Sequence, residues 1–199
     1  MKITPVIAQL RTYALGFEGR VAGGLDWDPT KDSAKMEPPA AYVIAVGDSA
    51  DEPMSQNVYT QDVRDAIDVC VVLPSVDERG QSVVDVLHDV RAQLWRALVG
   101  FAPDDESGPL LYDGGQLLLL DRERVVYRYR FYADLQLGRL EWDGEGKPQT
   151  WQEMVLAGLP ALEGIDTRYD FIDPLVDKNL SPSGPDGRVE FQTKEDLPQ

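Results

Sequence analysis

The chain has 199 residues, 43% of them apolar, enough for one domain of ordinary size with an appendage. Its formal charge of −16, from 35 acidic against 19 basic side chains, argues against general binding to phosphate backbones and against adhesion to anionic membranes. One cysteine, Cys70, cannot form an intrachain disulfide, which fits a reducing compartment. The opening MKITPVIAQLRTYAL lacks the uninterrupted apolar core of a signal peptide, and no apolar run approaches the roughly 20 residues that span a bilayer. The expectation is a soluble protein made in a cytoplasm.

Thr4-Pro5 reads as a helix start, a capping hydroxyl followed by proline at the first helical position. Val6, Ile7, Leu10, Tyr13 and Ala14 then recur at helical spacing until Gly16 stops the helix. FEGRVAGG suits a short strand, and residues 26–39 an exposed loop ending in Pro38-Pro39. Ala41 to Val46 is a short buried strand, GDSADEPMSQN a polar loop, and Arg64 to Leu73 a second buried strand. After a break at Asp77 to Gly80, an amphipathic helix runs to about Gly100. Its apolar stripe is Val83, Leu87, Val90, Leu94 and Leu98, with Val86 and Ala97 alongside. APDDESGP is a loop, Leu110 to Tyr112 a short strand, Gly114-Gly115 a turn, and Gln116 to Leu120 leads through a tight turn at Asp121–Glu123 into the next strand.

That strand, Arg124 to Leu137, is the most regular segment of the chain. Val125, Tyr127, Tyr129, Phe131, Ala133, Leu135 and Leu137 point one way; Val126, Arg128, Arg130, Tyr132, Asp134 and Gln136 point the other. Strands of globular proteins commonly run to about 5–6 residues, so this one is expected to extend past its own sheet core. Its polar face suits solvent or a partner subunit, which points to an assembly component rather than a self-contained enzyme. Arg128, Arg130, Tyr132 and Asp134 are therefore the candidate subunit-interface residues. Two readings of the arginines stand side by side: a solvated face with local ion pairs, or pairing with an acidic surface on the next copy.

Residues 139–199 hold 13 acidic and 6 basic side chains, many prolines and glycines, and one short helix candidate at Trp151 to Leu159. Trp142, Tyr169, Phe171, Ile172 and Leu175 are scattered apolar positions there. This composition suits an extended arm. The expected organisation is an α+β core over 1–138, a mostly antiparallel β-sheet with two α-helices packed on one face, plus an extended acidic C-terminal arm over 139–199.

Several motifs bear on catalysis. Asp26-Trp27-Asp28-Pro29-Thr30 fits D-x-D-x-T, a phosphotransferase nucleophile pattern, but that motif must follow a buried parallel strand, and GRVAGGL is a poor one. Asp26, Asp28, Thr30, Asp32 and Glu37 fall at calcium-loop spacing, yet Lys31 stands where the sharp turn needs glycine. His88 is the only histidine and flanks an apolar stripe, so no histidine-based zinc cluster or Cys–His pair is available. Ser75, Ser82 and Ser107 lack a nucleophile elbow, and Ala22, Gly23 and Gly24 lack the strand-to-helix turn of a phosphate cradle. No cofactor, metal or catalytic set is expected.

The opening MKITPVIAQLRTYALGFEGRVAGG, the strand AAYVIAV, the helix GQSVVDVLHDVRAQLWRALVGF and the hairpin YDGGQLLLLDRERVVYRYRFYADLQL together resemble the tail terminator family of long-tailed bacteriophages. The likeness is strongest to Mu-like members and covers roughly residues 1–137. It implies a small α/β fold assembling as a homohexameric ring, which caps the head-proximal end of the tail tube, ends its polymerisation and offers a surface for head–tail joining. The implied partners are other copies of the chain, the tail tube protein and the head–tail connector or neck proteins. A neck adaptor of the head–tail connector and a tail tube protein are the competing readings.

Overall fold

The computed structural model describes residues 1–54, 59–75, 81–139, 146–160, 163–169, 189 and 191–196. It divides into two units, Met1–Glu153 and Met154–Gln199. The first unit contains α1 (Ile3–Tyr13), β1 (Val21–Gly24), β2 (Ala40–Ala50), β3 (Gln61–Pro74), α2 (Gln81–Leu98), β4 (Leu111–Leu120) and β5 (Arg124–Leu137). A short helix, α3 (Trp151–Ala157), begins in it and runs into the second unit. The second unit contains an antiparallel pair, β6 (Gly164–Tyr169) and β7 (Phe191–Asp196). The class is α+β, as the alternation and helical periodicities require. No helix among the described residues is long and apolar enough to cross a membrane.

Five strands form one sheet in the order β1-β2-β3-β5-β4, with β1 parallel to β2 and every other pair antiparallel. Both helices supply the core of one face. Val6 and Leu10 of α1 and Val90, Leu94 and Leu98 of α2 are buried with Val43, Ile67, Val69, Tyr129 and Phe131 of the sheet. The Tyr129 hydroxyl donates to the Leu87 carbonyl at 2.7 Å, fixing α2 against β5.

The helix ends differ from the sequence expectation. Ile3 already opens α1, Lys2 holds the cap position, and no side chain caps it. Pro5 is tolerated one turn in because the first amides of a helix have no intrahelical acceptor. The helix ends at Tyr13, and Gly16 lies in a following 3-10 turn, Leu15–Phe17. In α2, Val86 is exposed and stands off the apolar stripe. The expected break at Asp77–Gly80 lies outside the described residues, as do Trp142, Phe171, Ile172 and Leu175.

The strands are longer than their apolar runs. β2 continues through Ala50, into residues read as loop, because the hydrogen-bonded ladder to β3 persists where both side-chain faces are polar. Gly114 and Gly115 do not turn the chain. They sit inside β4 at an irregularity between Tyr112 and Gly114, where Asp113 is left without a partner on β5. A side chain at Gly115 would meet the Tyr127 and Tyr112 rings. Nor does β5 overhang alone: β3 matches it along its whole length, from Pro74 opposite Arg124 to Gln61 opposite Leu137. Only β4 stops short, its pairing ending at Tyr132. The far half of β5 is thus one rail of a β2–β3–β5 ribbon.

At the ribbon's tip, residues after β5 fold back onto it. The Gly138 amide donates to Gln149 Oε1 at 3.1 Å and the Tyr59 amide to Gln152 Oε1 at 3.3 Å. Gly138 has φ +74°, and any side chain there would run into the Tyr59 carbonyl. Thr150 accepts from the Glu153 amide at 3.2 Å, while the Glu153 carboxylate accepts from the Gln149 amide at 2.7 Å. Thr150 thus caps the start of α3, and Glu153 three residues on reaches back to the amide just before the cap.

Candidate functional site

The register of β3 against β5 decides what the face opposite the helices looks like. It sets Val72, Cys70, Asp68, Ala66 and Arg64 beside Val126, Arg128, Arg130, Tyr132 and Asp134. At one end of this face Ala40, Tyr42, Cys70, Val72 and Val126 form a second apolar cluster, packed against Trp27 and Met36 from the 25–39 loop. The alternation of β5 alone did not show this, because Val126 is its only apolar member on that side.

Beyond the cluster the face becomes ionic. Arg130 makes a two-pronged contact with Asp68, Nε to Oδ1 at 2.7 Å and a terminal nitrogen to Oδ2 at 2.9 Å. Arg128 lies 3.5 Å from the same carboxylate and also donates to Gln116 Oε1. Asp68 is only 7% exposed, so two cations share one buried anion. Its hydrogen bond holds the Arg130 guanidinium above its ordinary pKa, against the opposing effect of burial. Gly114, which has no side chain to place on this face, leaves a shallow cavity of about 300 Å³ over the arginines, flanked by Asp113 and Gln116. Further along, Arg64 donates to Asp134 Oδ1 at 2.9 Å and lies over the Tyr132 ring, 4.2 Å from its centroid. The four candidate interface residues therefore share one face. Arg128 and Arg130 meet through Asp68, Tyr132 and Asp134 through Arg64.

Asp68 and Arg64 are the partners sequence reasoning missed. Their signal is the alternation Arg64, Ala66, Asp68, Cys70, Val72 in β3, but only the inter-strand register tells which arginine meets which aspartate. Cys70, beside this group, is buried; burial first and Asp68 second push its thiol up to about 12, so it stands as a neutral thiol.

The other motifs are spent on structure. Asp28 accepts from the Thr30 hydroxyl and amide and pairs with Lys31, and its own amide donates to Asp32 Oδ2 at 2.6 Å. The Thr30 hydroxyl, more than any other group, holds the Asp28 carboxyl below its ordinary pKa; Lys35 does the same for Asp32. These bonds fold the loop so that Trp27 and Met36 cover the second cluster. The strand before the D-x-D-x-T residues is parallel, but it is a four-residue edge strand. His88 shares a 2.8 Å contact with Arg91. Among the described residues no group of three or more His, Cys, Asp or Glu is placed to hold a metal ion.

Residues 1–143 match the model of the phage tail terminator protein family. The chain belongs to that family. The match takes in α1, α2 and all five strands of the large sheet, and stops before α3. Thirty-one chains of solved structures also match. One comes from the virion of a native gene transfer agent particle, at 14% identity and a TM-score of 0.43, over 66% of this chain and 91% of that one. That likeness is too distant to carry an argument about the site. No curated protein matches. As a tail terminator family member the chain is a structural protein of the virion tail, and its family is not one of enzymes.

Proposed function

We propose that this tail terminator assembles as a closed ring, a homohexamer, on the head-proximal end of the tail tube. There it ends tube polymerisation and offers its other side to the head's connector. The observation that carries this reading is the family match across the entire five-stranded sheet. Such a cap makes and breaks no bonds. It works by differential binding, one side matching the growing tube end and the other withholding that same surface from further tube subunits. Head-to-tail contacts close into a ring when the rotation per subunit is right.

Arg128, Arg130, Tyr132 and Asp134 are the proposed subunit-facing group. Asp68 holds the Arg130 fork in place, so a neighbour's carboxylate would meet guanidinium groups that are already oriented. In a chain of charge −16, clustered arginines are the natural meeting point for an acidic surface of the next copy. The arm, 139–199, reaches over a neighbour or onto the connector; a chain ending at Gly138 that still forms rings and joins tails would contradict that role.

The test is to add the purified protein to polymerising tube subunits. Capping gives short tubes with extra density at one end only. Tubes of unrestricted length, with the protein bound instead to isolated heads, would make it a neck adaptor.

A further inference from the structure

The sheet face opposite the helices carries charge of opposite sign at its two ends. At the base, Arg128 and Arg130 share the one buried carboxylate of Asp68, and their side chains remain 27% and 31% exposed. Asp68 occupies one side of the Arg130 fork, and both guanidinium groups line the shallow cavity over Gly114. Asp113 at the rim is exposed and acts on Arg130 through space, with no ion pair between them among the described residues.

Past Ile44 on one side and Tyr132 on the other, only β2, β3 and β5 continue. On this ribbon the same face turns acidic. Ser49 stands beside Arg64, and the Asp51 amide donates to the Asp62 carbonyl at 2.9 Å. Asp51 and Asp62 thus join Arg64 and Asp134 around shallow cavities of about 200 and 290 Å³. Arg64 is taken by Asp134. Asp51 and Asp62 are exposed and have no ion pair among the described residues. Acidic side chains are abundant in this chain, but these two stand on or next to paired strands, which fixes their spacing and direction.

The two ends cannot meet within one copy. Asp62 pairs with Gln136, six residues along β5 from Arg130. That is roughly 20 Å at about 3.3 Å per residue, and an ion pair needs about 4 Å.

We propose that Asp51 and Asp62 of one copy seat in the cavity over Arg128 and Arg130 of a neighbouring copy. The arginines are already oriented by Asp68, so little side-chain freedom is lost when the carboxylates arrive. A guanidinium donates in a planar fork that matches a carboxylate, and it gives up water more readily than an ammonium group. Opposite charge at the two ends also selects this pairing over one that sets like ends together. The two surfaces differ, so the contact is head-to-tail, and such contacts close where the rotation per subunit allows. The inference names the acidic surface that the ring reading calls for, and it rests on that reading for closure only.

The test is charge reversal in the full-length protein, read by native mass. Asp51→Lys combined with Asp62→Lys should cut the assembled fraction at least tenfold with an unchanged circular dichroism spectrum. Asp85→Lys combined with Asp89→Lys makes the same change of charge on exposed positions of α2 and should leave assembly as it is. Disulfide trapping gives the second readout, since Asp113 lies at the cavity rim and the buried Cys70 thiol stays silent. Asp113→Cys with Asp62→Cys should yield covalent dimers and larger species, and neither single variant should. Undiminished assembly of the Asp51/Asp62 variant, an equal loss in the α2 control, or no cross-link from the cysteine pair would overturn the pairing. A closed hexamer that survives the reversal would sink the pairing and leave the ring standing. Cross-linked open oligomers that never close would keep the pairing and contradict the ring.

Discussion

The two faces of the large sheet are made by the same strands and follow opposite rules. Under the helices, the face is apolar without interruption from Val43 through Ile67 and Val69 to Tyr129 and Phe131. Across the backbone, it is apolar only where the 25–39 loop lays Trp27 and Met36 over it, and then passes to the Asp68–Arg130–Arg128 group and the Arg64–Asp134 pair. One face holds the domain together. The other is ordered by ion pairs whose arginines stay partly exposed.

The sharpest break in that comparison would come from Phe131→Ala. Phe131 is fully buried, and its loss should cost about 3–5 kcal/mol, read from urea unfolding. On the opposite face Asp68→Asn should cost less, about 2 kcal/mol, because it leaves two partly exposed guanidinium groups without their anion. A loss equal to that of Phe131→Ala would mean that the ionic face is as much a part of the core as the apolar one.

Cys70 sharpens the comparison through pH. Its thiol titrates near 9 when unfolded and near 12 in the fold, so the folded state holds a proton that the unfolded state has released. Its contribution is therefore intact below about pH 9 and declines as pH rises towards 12, by up to about 1.4 kcal/mol per pH unit. Stability measured against pH should fall more steeply for the native chain than for Cys70→Ala. Thr150→Ala removes the α3 cap and should cost about 1 kcal/mol locally, seen as faster amide exchange in α3 with the sheet unchanged. Asp134→Ala should leave the unfolding midpoint unmoved, since both partners of that pair are half exposed. If it matters to ring formation instead, the residue belongs to the interface and not to the fold.

Much of the architecture was legible. The period of 2 in β5 gave its bounds, Arg124–Leu137, and the apolar stripe gave α2, because burial imposes those patterns directly. What failed was whatever depends on a second strand. β2 and β3 run on beyond their apolar residues because backbone pairing does not need apolar side chains. Gly114-Gly115 looked like a turn because a bulge and a turn use the same residue. The overhang expected of β5 vanished once β3 proved equally long. Thr150 and Glu153, by contrast, spelled out a T-x-x-E helix start in the sequence and went unread. For the candidate interface, the face shared by Arg128, Arg130, Tyr132 and Asp134 was visible. The Asp68 and Arg64 contacts that organise it required the register.

The central claim is that this chain ends tail growth. Its most direct test is negative-stain microscopy of tails from a phage lacking the gene. The account predicts abnormally long tails unattached to heads, because elongation loses its stop and heads lose their joining surface. Tails of normal length lying beside complete heads would contradict it and place the protein in the neck.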